Sequence, residues 1–148
     1  MRRCFAVVGR TSLRTFVGTI EGAACYNPDG SLRWQAPETI ALAHPHDGPV
    51  LDGTTLYTAG PGGESIVALA VETGNERWRR PLSGEPRSPV SASGSVYVQD
   101  ATGELEALAR SDGSVEWATR LSLRSMTGVT VADGSLLVGA DKQLPQYD

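Results

Sequence analysis

"ALAVETGNERW", residues 68–78, places an alanine ten positions and a glycine four positions ahead of a tryptophan. The same skeleton returns as "ALARSDGSVEW" at 107–117 and as "ACYNPDGSLRW" at 24–34, so all three tryptophans of the chain share one context. Trp34, Trp78 and Trp117 are spaced by 44 and 39 residues, and Ala24, Ala68 and Ala107 keep the same steps, as do Gly30, Gly74 and Gly113. With glycine at roughly 7 percent of residues, finding one four places before every tryptophan by chance has a probability of about 0.0003. A period near forty residues marks a repeat architecture, in which each repeat is one supersecondary unit that buries its apolar face on its neighbours.

A second marker precedes each tryptophan motif. "PVLDGTTLYTA" (49–59), "PVSASGSVYVQ" (89–99) and "GVTVADGSLLVG" (128–139) each read as two short apolar strands joined at Gly53, Gly94 or Gly134, the pattern of a β-hairpin. A third strand follows as "SIVALAV" or "ELEALAR", and "ETG" or "SDG" then turns the chain into the strand that carries tryptophan. Glycine suits that turn because it adopts positive φ without a Cβ penalty. Four antiparallel strands per repeat predict an all-β fold, a partial β-propeller of about three complete blades and an incomplete fourth. The whole chain, 1–148, is one segment with blades at roughly 4–36, 48–80, 88–120 and 127–148, the last holding two strands and a third that ends at Asp148. The tryptophans are expected to act as anchors between blades, with the preceding alanines leaving room for the indoles.

Composition excludes several functions. Thirteen basic against 17 acidic residues give a net charge of -4, the wrong sign for a nucleic-acid surface unless the cations cluster. The densest knot, Arg77, Arg79 and Arg80 around Trp78, reads as a charged edge strand. No apolar run reaches the roughly 18 residues that cross a bilayer as a helix. The apolar run in "MRRCFAVVGR" stops at Gly9, too early for a signal-peptide core, which needs about 7 to 15 residues. Cys4 and Cys25 are expected on strands two apart in one sheet, roughly twice the strand spacing of about 4.8 Å and too far for a disulfide.

The skeleton A-x-x-x-x-x-G-x-x-x-W after a hairpin resembles the tryptophan-docking repeat of the quinoprotein-like, or PQQ-like, propellers, whose fuller pattern is A-x-D-x-x-T-G-x-x-x-W. Ala68, Thr73, Gly74 and Trp78 match best; Asp112 and Asp29 stand where threonine is usual, and Tyr26, Ala70 and Ala109 stand at the aspartate position. The resemblance implies a ring of about seven or eight blades, of which this chain would be part. It also implies a binding or assembly module with a protein partner, two copies closing a ring being one form, and a periplasmic setting as in relatives of outer-membrane protein assembly. The alternative is a fragment of a PQQ-dependent dehydrogenase, for which the family would supply a vicinal Cys-Cys pair, a calcium site and an aspartate base. Cys4 and Cys25 are not adjacent, and calcium takes about six to eight converging oxygens, whereas Asp29, Asp47, Asp52, Asp100, Asp133 and Asp141 read as turn formers.

His44 and His46 beside Asp47 could begin a metal site but lack further ligands and read as an inter-blade loop. "AGPGGES" (59–65) has no lysine and no following helix for a phosphate. There is no G-x-S-x-G elbow. The expectation is therefore no catalytic residue, no metal and no bound cofactor, PQQ and calcium entering only with the dehydrogenase alternative; no nucleic-acid partner and no membrane insertion are expected.

Overall fold

The computed structural model describes residues 4–11, 14–19, 22–36, 49–87, 89–121 and 129–138. Fourteen strands run through them. The first sheet is β1 (Cys4–Thr11), β2 (Arg14–Thr19), β3 (Gly22–Tyr26) and β4 (Leu32–Ala36). The second is β5 (Val50–Asp52), β6 (Thr55–Ala59), β7 (Ser65–Ala70) and β8 (Glu76–Pro81), with one 3₁₀ turn at Pro61–Gly63 between β6 and β7. The third is β9 (Val90–Ala92), β10 (Ser95–Gln99), β11 (Glu104–Ala109) and β12 (Val115–Arg120), and a hairpin follows of β13 (Val129–Ala132) and β14 (Ser135–Val138). Strand order is sequential in every sheet and all pairing is antiparallel. The fold is all-β, and the described sheets form a partial propeller that does not close into a ring.

Turn chemistry explains the hairpins. Ser93 and Gly94 (φ 52° and 86°) and Asp133 and Gly134 (φ 49° and 72°) are left-handed, as two-residue turns whose twist matches paired strands require. Backbone approach between sheets runs from β1 to β5, β5 to β9 and β9 to β13. The first strand of each sheet therefore lies nearest the common axis and the tryptophan strand lies outermost.

Within a sheet the tryptophan reaches across a small residue. Tyr57 pairs with Ala68 and Ala68 with Trp78; Tyr97, Ala107 and Trp117 repeat this. Because alanine has only a methyl group, the flanking rings meet above it, at centroid distances of 5.8 and 6.0 Å with both pairs tilted by 43°, a favourable inclined arrangement. In the first sheet Phe16 and Trp34 meet at 6.1 Å, but the residue between them is Cys25, and Ala24 pairs with Gln35. The reason is a shorter turn: Asn27 pairs with Ser31 around three residues, whereas Ala70 to Asn75 and Ala109 to Ser114 enclose four.

Between sheets the indole is held twice. Trp34 Nε1 donates to the Val71 carbonyl at 2.8 Å, and Trp78 Nε1 donates to the Arg110 carbonyl at 2.9 Å. Each ring also lies flat on a turn glycine of the next sheet: a Cβ on Gly74 would stand 2.5 Å from Trp34 Cε3, and one on Gly113 would stand 2.5 Å from Trp78 Cε3. Gly74 and Gly113 thus serve both the turn, at φ 73°, and the close approach. The buried clusters are seams of the same kind, Phe16, Cys25 and Trp34 meeting Leu56, Val67, Leu69 and Val71 in one, and Tyr57, Ile66, Ala68 and Trp78 meeting Val96, Val98 and Leu108 in the next.

Two outcomes follow for urea unfolding. Trp78→Ala, at a site 7% exposed, is expected to lose about 3 to 5 kcal/mol, while Trp117→Ala, at 43% exposure, loses under about 1 kcal/mol from the isolated chain. Gly53→Ala meets open space at φ +56° and carries only the left-handed penalty of roughly 1 to 2 kcal/mol. Gly74→Ala adds displacement of the Trp34 indole, about 1 to 3 kcal/mol more; equal midpoints for the two glycine variants would contradict the seating of the indole.

Candidate interaction surface

The third tryptophan motif is built like the other two, and among the described residues no turn receives its indole. Trp117 stands on β12, stacked on Tyr97 in the geometry of its counterparts, and no described residue accepts from its Nε1. It is 43% exposed where Trp34 and Trp78 are 8% and 7% exposed. Val115, two residues earlier, is also exposed, as is Leu137 on β14. Every residue of β12 is exposed, so the outer strand of the third sheet presents an apolar face with a hydrogen-bond donor already oriented.

At the other end of the described residues the first turn is open. Gly30 is left-handed at φ +84°, with no atom within 4 Å of where its Cβ would stand. Pro28, Gly30 and Leu32 are all exposed there. Asp29 braces this turn by accepting from the Ser31 hydroxyl at 2.6 Å and the Ser31 N–H at 2.9 Å. Asp112 does the same with Ser114 at 2.7 and 2.9 Å. The serine hydroxyl first, then its N–H, hold both carboxyls below their ordinary value of 3.8. Their folded values being depressed, the bracing is fully present above the unfolded value and is lost as pH falls through the lower folded one.

Many of the remaining described charges are committed to structure. Arg33 bridges to Glu72 at 3.0 Å, Arg80 to Glu106 at 3.2 Å and Arg110 to Asp52 at 3.0 Å, each across a seam between sheets. Ser91 also donates to Asp52. In the arginine knot, Arg77 donates to Thr55 Oγ1 at 2.8 Å and Arg79 pairs with Glu76 at 2.6 Å, so with Arg80 on Glu106 the three cations are engaged by the protein itself. Asp100, 3% exposed, accepts from the backbone N–H groups of Thr102 and Glu104 and from the Thr102 hydroxyl. Among the described residues no three His, Cys, Asp or Glu side chains converge as metal ligands. Tyr57 OH and the Gln99 amide, buried polar atoms without a partner among the described residues, belong to different sheets. That donor set does not fit a calcium-bound quinone.

Cys25 is a buried thiol outside any disulfide, and β1 and β3 flank β2, two strands apart as expected for Cys4 and Cys25. Asp47, Asp141, Asp148, His44 and His46 lie outside the described residues. No described helix is long and apolar enough to cross a membrane. Three features were not readable from the sequence: the acceptor carbonyls of Val71 and Arg110, the part of Cys25 opposite Trp34, and the inter-sheet ion pairs. The first and third depend on how neighbouring sheets sit together, and the second on a turn one residue shorter.

Comparison with known proteins agrees with this geometry. A family model described as outer membrane protein assembly factor BamB matches residues 20–148. BamB of Xanthomonas campestris pathovar campestris is 33% identical over 132 residues, covering 83% of this chain and 32% of that protein. The crystal structure of BamB from Moraxella catarrhalis superposes with a TM-score of 0.70 at 19% identity, over 91% of this chain and 46% of that one. The computationally designed protein Ika4 superposes at 0.67 with 14% identity, over 93% of this chain and 85% of that one. The chain spans a third or less of the length of the curated relatives it matches. Tryptophans docked on the turn of the following sheet, repeated at forty-residue steps and matched by the family model over most of the length, make this chain a member of the BamB family of PQQ-like β-propeller repeat proteins.

Proposed function

We propose that residues 1–148 form a noncatalytic propeller segment, part of a larger ring, that binds protein partners in the assembly of outer-membrane proteins. The observation that carries this reading is the rigid stack of sheets locked by Trp34 and Trp78, matched by the BamB family model over residues 20–148. Rigidity matters because a partner then meets a preorganised surface and little ordering entropy opposes binding. Partners are proteins that meet the exposed turns between strands, a second copy being one form. The relatives are named for the assembly of outer membrane proteins, which supports an extracytoplasmic setting for this chain.

The dehydrogenase alternative asks for converging oxygen donors, whereas Asp29, Asp52, Asp100, Asp112, Glu72 and Glu106 are engaged in turns and seams. Titration with PQQ and calcium is expected to give no saturable absorbance change, and dye-linked alcohol oxidation would overturn the reading. The direct test is a chimera in which this chain replaces the matching segment of Xanthomonas campestris BamB in a strain lacking its own copy. Outer-membrane protein levels near those of the parent strain are expected; a stable, folded chimera with the levels of the deletion strain would contradict the assignment.

A further inference from the structure

The tripeptide Asp-Gly-Ser occurs at 29–31, 112–114 and 133–135, and the fold places it in two different surroundings. In the first two copies it forms the turn ahead of the tryptophan strand. There each aspartate accepts from the hydroxyl and the N–H of the serine that follows. The glycine N–H is occupied as well, Gly30 donating to the Asn27 carbonyl at 3.0 Å and Gly113 to the Ala109 carbonyl at 2.9 Å. A further Asp-Gly bond, Asp52–Gly53, has its carboxylate held by Ser91 and Arg110 of the next sheet. The third copy is a hairpin turn instead. Asp133 is left-handed at φ 49°, and Ser135 pairs with Ala132 across the hairpin, which commits the serine backbone to the ladder. No described residue bonds to the Asp133 carboxylate, and no described carbonyl accepts from the Gly134 N–H. Gly53 and Ser93 hold the same turn position in the second and third sheets and are exposed with a following sheet in place, so the position itself faces solvent.

We propose that Asp133–Gly134 is a site of spontaneous covalent modification, at which the aspartate converts to isoaspartate. The Gly134 nitrogen attacks Cγ of Asp133, and an N–Cγ bond forms while the amide proton and the carboxyl hydroxyl leave as water. The five-membered imide then takes up water at the Asp133 backbone carbonyl carbon; the original C–N bond breaks, and the chain runs on through Cβ and Cγ. One water leaves and one enters, so the mass is unchanged and nothing is oxidised or reduced. Glycine suits the first step because no Cβ shields its nitrogen. The neutral carboxyl is the form that loses water, and the serine bonds that hold Asp29 and Asp112 below their ordinary value keep that form scarce in the braced turns. Isoaspartate adds one methylene to a two-residue turn whose geometry sets the register of β13 on β14, so the modification loosens that hairpin.

Incubation of the whole chain in heavy-oxygen water, followed by digestion in ordinary water, tests this, because each imide that hydrolyses keeps one heavy oxygen. Tryptic peptides 15–33, 111–120 and 125–142 separate Asp29, Asp112 and Asp133, and fragment spectra assign the label within each. Label is expected to enter Asp133 about tenfold faster than Asp29 or Asp112, each of which must first give up hydrogen bonds to a charged group. Peptide 125–142 is expected to split into two chromatographic forms of equal mass. Asp133→Ser, which reproduces the Ser93–Gly94 turn of the third sheet, removes the label from this position and leaves the other two unchanged. Ser114→Ala, at an exposed site, releases the Asp112 carboxylate and raises labelling there severalfold. Absence of label at Asp133, labelling there no faster than in the braced turns, a single form of the labelled peptide, or labelling of Asp112 that ignores Ser114 would overturn the proposal.

Discussion

A single repeated contact organises this molecule: the edge of an indole donates to a backbone carbonyl in the next sheet while its face rests on a glycine. Sheets packed only through apolar side chains could slide, because the hydrophobic effect is non-directional. The hydrogen bond and the bare glycine remove that freedom by fixing both position and orientation. Burial of about 200 Å² per tryptophan is worth up to roughly 5 kcal/mol, and the hydrogen bond adds about 1 kcal/mol while avoiding the cost of a buried unpaired donor. Everything else adapts to that contact. Alanine or cysteine sits on the third strand because a larger side chain would push the rings apart, and an aromatic sits on the second strand because it supports the indole from behind.

Charged groups follow the same seams. Arg33 with Glu72, Arg80 with Glu106 and Arg110 with Asp52 each join consecutive sheets. Most are partly exposed, so their energetic weight is modest; Glu106, with a side chain only 9% exposed, is the one whose carboxylate depends on its arginine. The acidic turn residues are spent on their own serines and threonines. Carboxylates committed in this way are poorly placed to ligate a metal or move protons, in keeping with the proposed scaffold role.

The repeat and its hairpins were legible because tryptophan and glycine are rare enough for their spacing to carry information, and because Ser-Gly and Asp-Gly turns impose their own geometry. Ala68 and Ala107 fall opposite their tryptophans as the spacing suggests. Ala24 does not, since counting back from glycine assumes a turn of constant length, and the Asn27–Ser31 turn is one residue tighter. Phe16 carried no signal because the strand around it lacks the glycine-turn punctuation of the later hairpins. The identity of the residue beneath each indole depends on the relation between sheets, a long-range property with no local pattern. The arginine knot around Trp78 showed its charge in the sequence, whereas its partners Glu106 and Thr55 lie in a neighbouring sheet and on a distant strand.

The account stands or falls on whether the indoles are locked between sheets in solution. Hydrogen exchange of the three indole N–H groups, followed by nitrogen-resolved NMR on labelled protein, measures this directly. Trp34 and Trp78 should exchange only through global unfolding, at rates that track denaturant as the whole fold does. Exchange of either at the rate of a free indole, with the backbone amides of β7 and β11 still protected, would show that the sheets hold together by some other means.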